Sequence, residues 1–223
     1  MSDAVKGIIF DLDGTLYRMH WLMRPFITLR AFPNVLRLPR FIRERNRFAG
    51  VDMESREKLM EELCLSVSRI EKCSPAVIQT WIEKSFYPAF IDSMFLFKDS
   101  RPELNSTLSR LKKKKLRLAV LSDYSMVSER LEKLRIDLSL FDTVTSSEQF
   151  GALKPSGRPF VEIARKWNLK PSEVLVVGDR VDTDGEGAKA AGMKFTQICD
   201  KKNEQSTSWQ TVRDYLLSLP EPL

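Results

Sequence analysis

The sequence is poor in the residues on which several kinds of chemistry depend. It holds a single histidine, His20, and three cysteines, Cys64, Cys73 and Cys199. One histidine leaves little material for a Ser-His-Asp triad or a histidine-rich metal site. Three cysteines without close metal-type spacing exclude a disulfide framework, and free thiols fit a reducing cytoplasm, the expected compartment. No apolar run approaches the ~20 residues needed to cross a bilayer. Met1 to Val5 carries neither the basic nor the apolar region of a secretory leader.

What is present points to a globular chain. The 223 residues are 43% hydrophobic and 30% charged, enough for one large domain or a domain with a smaller one inserted. A net charge of +6 favours anions without indicating nucleic acid, and no nucleic-acid partner is expected. The positive charge is concentrated. Arg18, Arg24, Arg30, Arg37, Arg40, Arg43, Arg45 and Arg47 are opposed within their stretch only by Glu44.

The stretch that organises the rest is Lys6 to Thr15. Gly7 to Phe10 is brief, apolar and ends abruptly, as a buried strand does. Asp11, Asp13, Gly14 and Thr15 follow at the strand's carboxyl end, where open α/β sheets bind ligands. In an extended chain, residues 11 and 13 share a side and can share one ligand or metal. Such carboxylates repel unless a proton or cation intervenes, and Mg²⁺ takes oxygen donors. A surface Asp-Leu-Asp-Gly turn is the alternative, and the pair alone does not decide.

Residues 17–96 show helical signals and no clear strand. Prolines 25, 33 and 39 break the first part, and apolar spacing predicts a helix over 52–70. Ser74-Pro75 resembles a helix start whose helix runs to Pro88. From Arg101 the texture alternates. Helices are expected near 102–115, 127–134, 159–167, 188–191 and 208–219, with Gly192 closing the fourth. Strands are expected near 116–121, 141–145, 174–177 and 194–198. Such alternation implies parallel βαβ units. The first strand must join them across about 80 helical residues, so the expected fold is α/β. It comprises a Rossmann-like, three-layer parallel-sheet core (1–16 plus 97–223) with an inserted all-helical cap (17–96).

Further groups fall immediately after strands: Ser122, Lys154, Asp179 and Asp184. Each has a plain explanation alone. Ser122 is a good helix N-cap, Lys154-Pro155 an ordinary loop, and the aspartates suit the positive end of a helix. In this order, however, the set resembles the haloacid dehalogenase superfamily of phosphatases and phosphotransferases. The resemblance rests on Asp11-Leu12-Asp13-Gly14-Thr15, Ser122, Leu153-Lys154-Pro155, and Gly178-Asp179 with Asp184.

The resemblance implies a mechanism. Asp11 would be the nucleophile, forming an aspartyl-phosphate, and Asp13 the general acid and then base. Mg²⁺ would be held by Asp11, the Asp13 carbonyl, Asp179 and Asp184. Ser122 would contact the phosphoryl group, Lys154 would balance its charge, and the backbone around Gly14 and Thr15 would complete the cradle. Asp182 ranks behind Asp184 as a ligand. Asp123 joins the phosphate-contacting loop where the family often has asparagine; a carboxylate there would repel an anionic substrate or pair with a base.

The expected activity is Mg²⁺-dependent hydrolysis of a small phosphorylated metabolite. Asp13 argues against dehalogenation, whose leaving halide needs no acid. The alternatives are a phosphomutase or phosphotransferase, or a non-enzymatic binding module using its basic cap. The cap arginines would grip a second anion, or meet an acidic partner or membrane surface. A solvated basic face is the plainer expectation.

Overall fold

The computed structural model describes residues 4–31, 35–96, 100–199 and 207–222. Its framework is a parallel sheet of five strands with β1 (Gly7–Phe10) at the centre. β2 (Arg117–Ser122) and β4 (Val174–Gly178) flank it, β3 (Thr143–Ser146) lies outside β2, and β5 (Lys194–Gln197) outside β4. β1 and β4 are buried along their whole length. Strands covered on both faces read as continuous apolar runs, which is why their sequences do not alternate.

Alternate residues of the strands feed two cores. Ile8, Phe10, Leu118, Val120, Leu175 and Val177 pack with α6 (Leu104–Lys113), α7 (Val127–Lys133) and α10 (Trp209–Ser218). Ile9, Ala119, Leu121 and Val176 pack with α8 (Arg158–Lys166) and α9 (Glu186–Ala190). The result is an α/β fold of helix, sheet and helix. Register then places the site: Phe10 lies beside both Val120 and Val177, so the residues following β1, β2 and β4 emerge together.

Between β1 and β2 the chain makes a helical insertion. It contains α1 (Met23–Arg30), α2 (Arg37–Asn46), α3 (Arg56–Glu71), α4 (Pro75–Trp81) and α5 (Tyr87–Leu96). Pro25 and Pro39 do not end helices. Each sits in the first turn of one, where a missing N–H costs nothing. Pro33 lies outside the described residues.

α3 starts later than residue 52 because the preceding segment is committed elsewhere. Met53 N–H donates to the Gly151 carbonyl at 2.8 Å, and Ser55 Oγ then caps the helix by accepting from Lys58 N–H. Ser74 makes no side-chain cap, and the helix it precedes does not stop at Pro88. A π-turn over Ile82–Phe86 links α4 to α5, with Tyr87 N–H reaching the Ile82 carbonyl, and Pro88 falls in the first turn of α5.

The arginines of the insertion are largely spoken for. Arg37 and Arg40 meet Glu71 at 3.3 and 2.6 Å, Arg43 and Arg47 meet Glu44 at 3.2 and 3.0 Å, and Arg30 meets Asp92 at 3.3 Å. Acids distant in sequence, such as Glu71 of α3, supply part of the counter-charge, and Arg18, Arg24, Arg30, Arg43 and Arg47 remain solvent-exposed, in keeping with a solvated basic face. Among the described residues no helix is long and apolar enough to cross a membrane.

Candidate active site

The ladder between β1 and β4 extends one residue past β1, through Asp11 N–H to the Val177 carbonyl at 2.9 Å. That bond fixes Asp11 beside the end of β4, where Asp179 follows. Asp184 returns to the same place on a single helical turn, Val181–Gly185. Carboxylate oxygens of Asp11, Asp179 and Asp184 lie within 4.8 Å of one another. Lys154 Nζ donates to Asp11 Oδ1 at 2.8 Å and to Asp184 Oδ1 at 2.7 Å.

Two glycines make this crowding possible. Gly14 has φ +97°, and a Cβ on it would sit 2.4 Å from Asp179 Oδ2. A Cβ on Gly178 would come equally close to Asp184 Oδ2. At Gly14 only glycine accepts both the backbone conformation and the approach; at Gly178 the approach alone requires it.

Three carboxylates against one ammonium leave two negative charges uncompensated. Burial, then the Asp11 charge, pushes the Asp179 carboxyl up to about 7. Burial also raises Asp11 to about 7 although Lys154 opposes it, and raises Asp184. Lys154 itself stays firmly protonated: burial works against its charge, and Asp11 followed by Asp184 outweighs burial. The donor set is all oxygen and short of two positive charges, which fits a hard divalent cation.

Asp13 is treated differently. Its side chain stands apart from that cluster, accepting from Arg130 Nη1 at 2.8 and 2.7 Å, Tyr17 Oη at 2.6 Å and Ser122 Oγ at 2.8 Å. Burial would raise its carboxyl, but the Arg130 charge and these hydrogen bonds hold it below the usual carboxylate range. As a metal donor, Asp13 therefore has only its backbone to offer in this arrangement.

Other expected contacts are placed with equal clarity. Thr15 is fully buried, its hydroxyl donating to Asp11 Oδ2 at 2.9 Å and its N–H to the Leu12 carbonyl. Ser122 is also fully buried, donating to Asp13 and accepting from Arg130 Nη2 at 2.7 Å. Both orient aspartates here instead of facing the cavity, because the carboxylates are the nearest charged partners. The Asp123 carboxylate accepts from Ser147 Oγ at 2.6 Å and from Lys154 N–H at 3.1 Å, which ties it to the segment that follows β3. Asp182 pairs with exposed Arg180, away from the cluster. His20 accepts from Leu22 N–H at 3.2 Å.

Several positioning residues are not evident from the motifs. Arg101 holds the loop after β1, donating to the Thr15 carbonyl at 2.9 Å and the Gly14 carbonyl at 2.6 Å. Arg45 of α2 reaches from the insertion to buried Glu148 at 3.2 Å and to the Asp123 carbonyl at 2.5 Å. Tyr87 of α5 donates to the same glutamate. A faint signal existed. Arg130 lies three residues after Val127 and four before Leu134, and Arg45 four after Phe41, all at apolar spacing.

Over the acids opens a cavity of about 250 Å³. Asp11, Asp13, Lys154, Asp179 and Asp184 form part of its wall. The insertion lines it with Met23 and Ile27 of α1, Leu38 and Ile42 of α2, and Phe86 and Phe90. Of the eight clustered arginines, only Arg24 lines it, and among the described residues Arg24 makes no ion pair.

Comparison with known proteins agrees with this geometry. The family model for haloacid dehalogenase-like hydrolases matches residues 5–192. A phosphoglycolate phosphatase of Aquifex aeolicus is 32% identical over 227 aligned residues, covering 98% of this chain and 95% of its own. A glyceraldehyde 3-phosphate phosphatase of Methanopyrus kandleri is 28% identical, covering 87% and 84%. Among solved structures, a Bacillus subtilis hydrolase of the same superfamily, bound to magnesium, is similar with TM-score 0.65 and 13% identity. It covers 96% of this chain and 99% of its own, a likeness of fold.

Proposed function

Because this chain belongs to the haloacid dehalogenase-like hydrolases, we propose that it is a phosphatase hydrolysing a small phosphomonoester through an aspartyl-phosphate on Asp11. The observation that carries this is the single ammonium of Lys154 bonded to both Asp11 and Asp184, with Asp179 in the same cluster. Relatives named for glyceraldehyde 3-phosphate and phosphoglycolate support a small phosphorylated metabolite as substrate.

In the first half-reaction an Asp11 oxygen attacks phosphorus, the bond to the alcohol oxygen breaks, and Asp13 supplies that oxygen with a proton. In the second, water attacks the aspartyl-phosphate, Asp13 takes its proton, and inorganic phosphate leaves with Asp11 restored. Thr15 and Lys154 each bond one Asp11 oxygen and so fix the carboxylate's rotation. Lys154 also offsets charge as the phosphoryl group arrives. Asp11, Asp179, Asp184 and the Asp13 carbonyl would hold Mg²⁺, which supplies the charge that lets a carboxylate approach a phosphate dianion.

Asp13 carries protons only after leaving Arg130, since a carboxylate held by a guanidinium is a poor acid. Residues 17–96 act as the cap that covers the substrate, and the remaining chain as the core. The test is phosphate release from a panel of phosphomonoesters. We expect activity with Mg²⁺, abolished by chelation and by Asp11→Asn; folded protein inert toward the whole panel would contradict the proposal.

A further inference from the structure

We infer that the substrate's alcohol portion is hydrophobic, a compact alkyl or aryl group and not a polyol or a small hydroxyacid. The inference rests on the phosphatase reading above and concerns what the cavity selects. Its charged wall is Asp11, Asp13, Lys154, Asp179 and Asp184, the groups of the phosphoryl chemistry, and the core adds Asp123, Tyr124, Arg180 and Thr183 to the lining. The insertion contributes Met19, Met23, Ile27, Leu38, Ile42, Phe86 and Phe90, none of which offers a hydrogen-bond donor or a good acceptor. The polar groups contributed by the insertion, Arg24 and Asn46, are solvent-exposed.

A hydroxyl brought against such a wall gives up water and gains no partner, which costs affinity. A methylene brought there gains by leaving water. Phe86 and Phe90 are also fixed by their neighbours. Their rings lie 5.9 Å apart, Phe90 meets Tyr124 edge-on at 5.4 Å, and the Arg130 guanidinium lies 4.7 Å over Phe90. The apolar wall is thus a preformed surface that does not need to rearrange around a polar guest. Size sets the other limit. A cavity of about 250 Å³ lies at the small end of ligand pockets, which suits a compact group.

The experiment is a series of straight-chain alkyl phosphates, ethyl to octyl, with Mg²⁺ and the full chain. The alcohols are nearly equal as leaving groups, so kcat/KM reports recognition of the chain and not its chemistry. We expect kcat/KM to rise about two- to fourfold per methylene over the shorter esters and then level off. Propyl phosphate should exceed glycerol 1-phosphate and phosphoglycolate by at least about tenfold. In Ile42→Gln, checked for a native thermal transition, the slope across the series should flatten; a slope is a ratio within one enzyme and is not moved by a general loss of activity. Turnover of the esters with a flat or falling slope, or with the polar esters preferred, overturns this inference and leaves the phosphatase standing. No turnover of any ester overturns both.

Discussion

Arg130 places one guanidinium nitrogen 2.8 and 2.7 Å from the two carboxylate oxygens of Asp13, across 117 residues of sequence. The arginine side chain is wholly buried, and its second terminal nitrogen holds Ser122 at 2.7 Å. The pair connects α7 to the loop after β1, so the residue proposed to move protons is restrained by a helix outside the shared motifs.

Removing that cation strands a buried carboxylate. Arg130→Met should destabilise the protein by about 3 kcal/mol and move the acidic limb of the kcat/KM profile to higher pH, because Asp13 of the free enzyme loses the charge that holds its carboxyl low. Arg130→Lys should restore most of the stability and part of the profile. Denaturant titration and pH-rate measurements check both; an unmoved profile in Arg130→Met would show that Asp13 is not the group being restrained.

The link between insertion and core makes a second case. Arg45 and Glu148 are almost fully buried and 3.2 Å apart, with Tyr87 and Ser125 also bonded to the glutamate. Arg45→Met alone should cost about 3–5 kcal/mol, since an uncompensated buried charge remains. Adding Glu148→Gln should recover most of that loss, and a double-mutant cycle by thermal or chemical denaturation measures the coupling.

The acid cluster sets a pH dependence for the metal-free protein. Asp179 has its carboxyl raised to about 7 in the folded chain, against 3.8 for an ordinary aspartate. The folded state therefore keeps a proton that the unfolded chain gives up, and that stabilisation is present at low pH and lost as pH rises through about 7. Asp13 and Asp142 shift the opposite way, so their loss falls below this window. Scanning calorimetry in chelator should show a higher Tm near pH 5.5 than near pH 8, with Mg²⁺ raising Tm most at pH 8.

At the cavity's outer wall, Arg24 is exposed and lines the path of an incoming dianion. Arg24→Glu should raise KM about two- to fivefold at low ionic strength with kcat nearly constant, the difference fading in salt. Steady-state kinetics at two ionic strengths decides it.

The convergence of the acids and Lys154 was legible in the sequence because short apolar strands end in polar residues of fixed order. Asp11, Lys154, Asp179 and Asp184 converge since register aligns the ends of β1 and β4 and a short turn returns Asp184. The helical insertion was legible from apolar periodicity and from the absence of strand patterns over 17–96. Ion pairing was not. Glu71 lies 31 residues from Arg40, and Glu148 lies 103 from Arg45; nothing local announces such partners. The partners of Ser122 and Thr15 were not legible for a related reason: a hydroxyl bonds whichever charge tertiary packing brings nearest, and here that is Asp13 and Asp11.

The central claim is that Asp11 becomes covalently phosphorylated. The most direct measurement is acid quenching during turnover of an accepted phosphomonoester with Mg²⁺, followed by peptide mapping by mass spectrometry. One phosphoryl group on the peptide carrying Asp11, absent without substrate and absent in Asp11→Asn, is the predicted result. An active enzyme that never carries that group on Asp11, or carries it on another residue, would contradict the account.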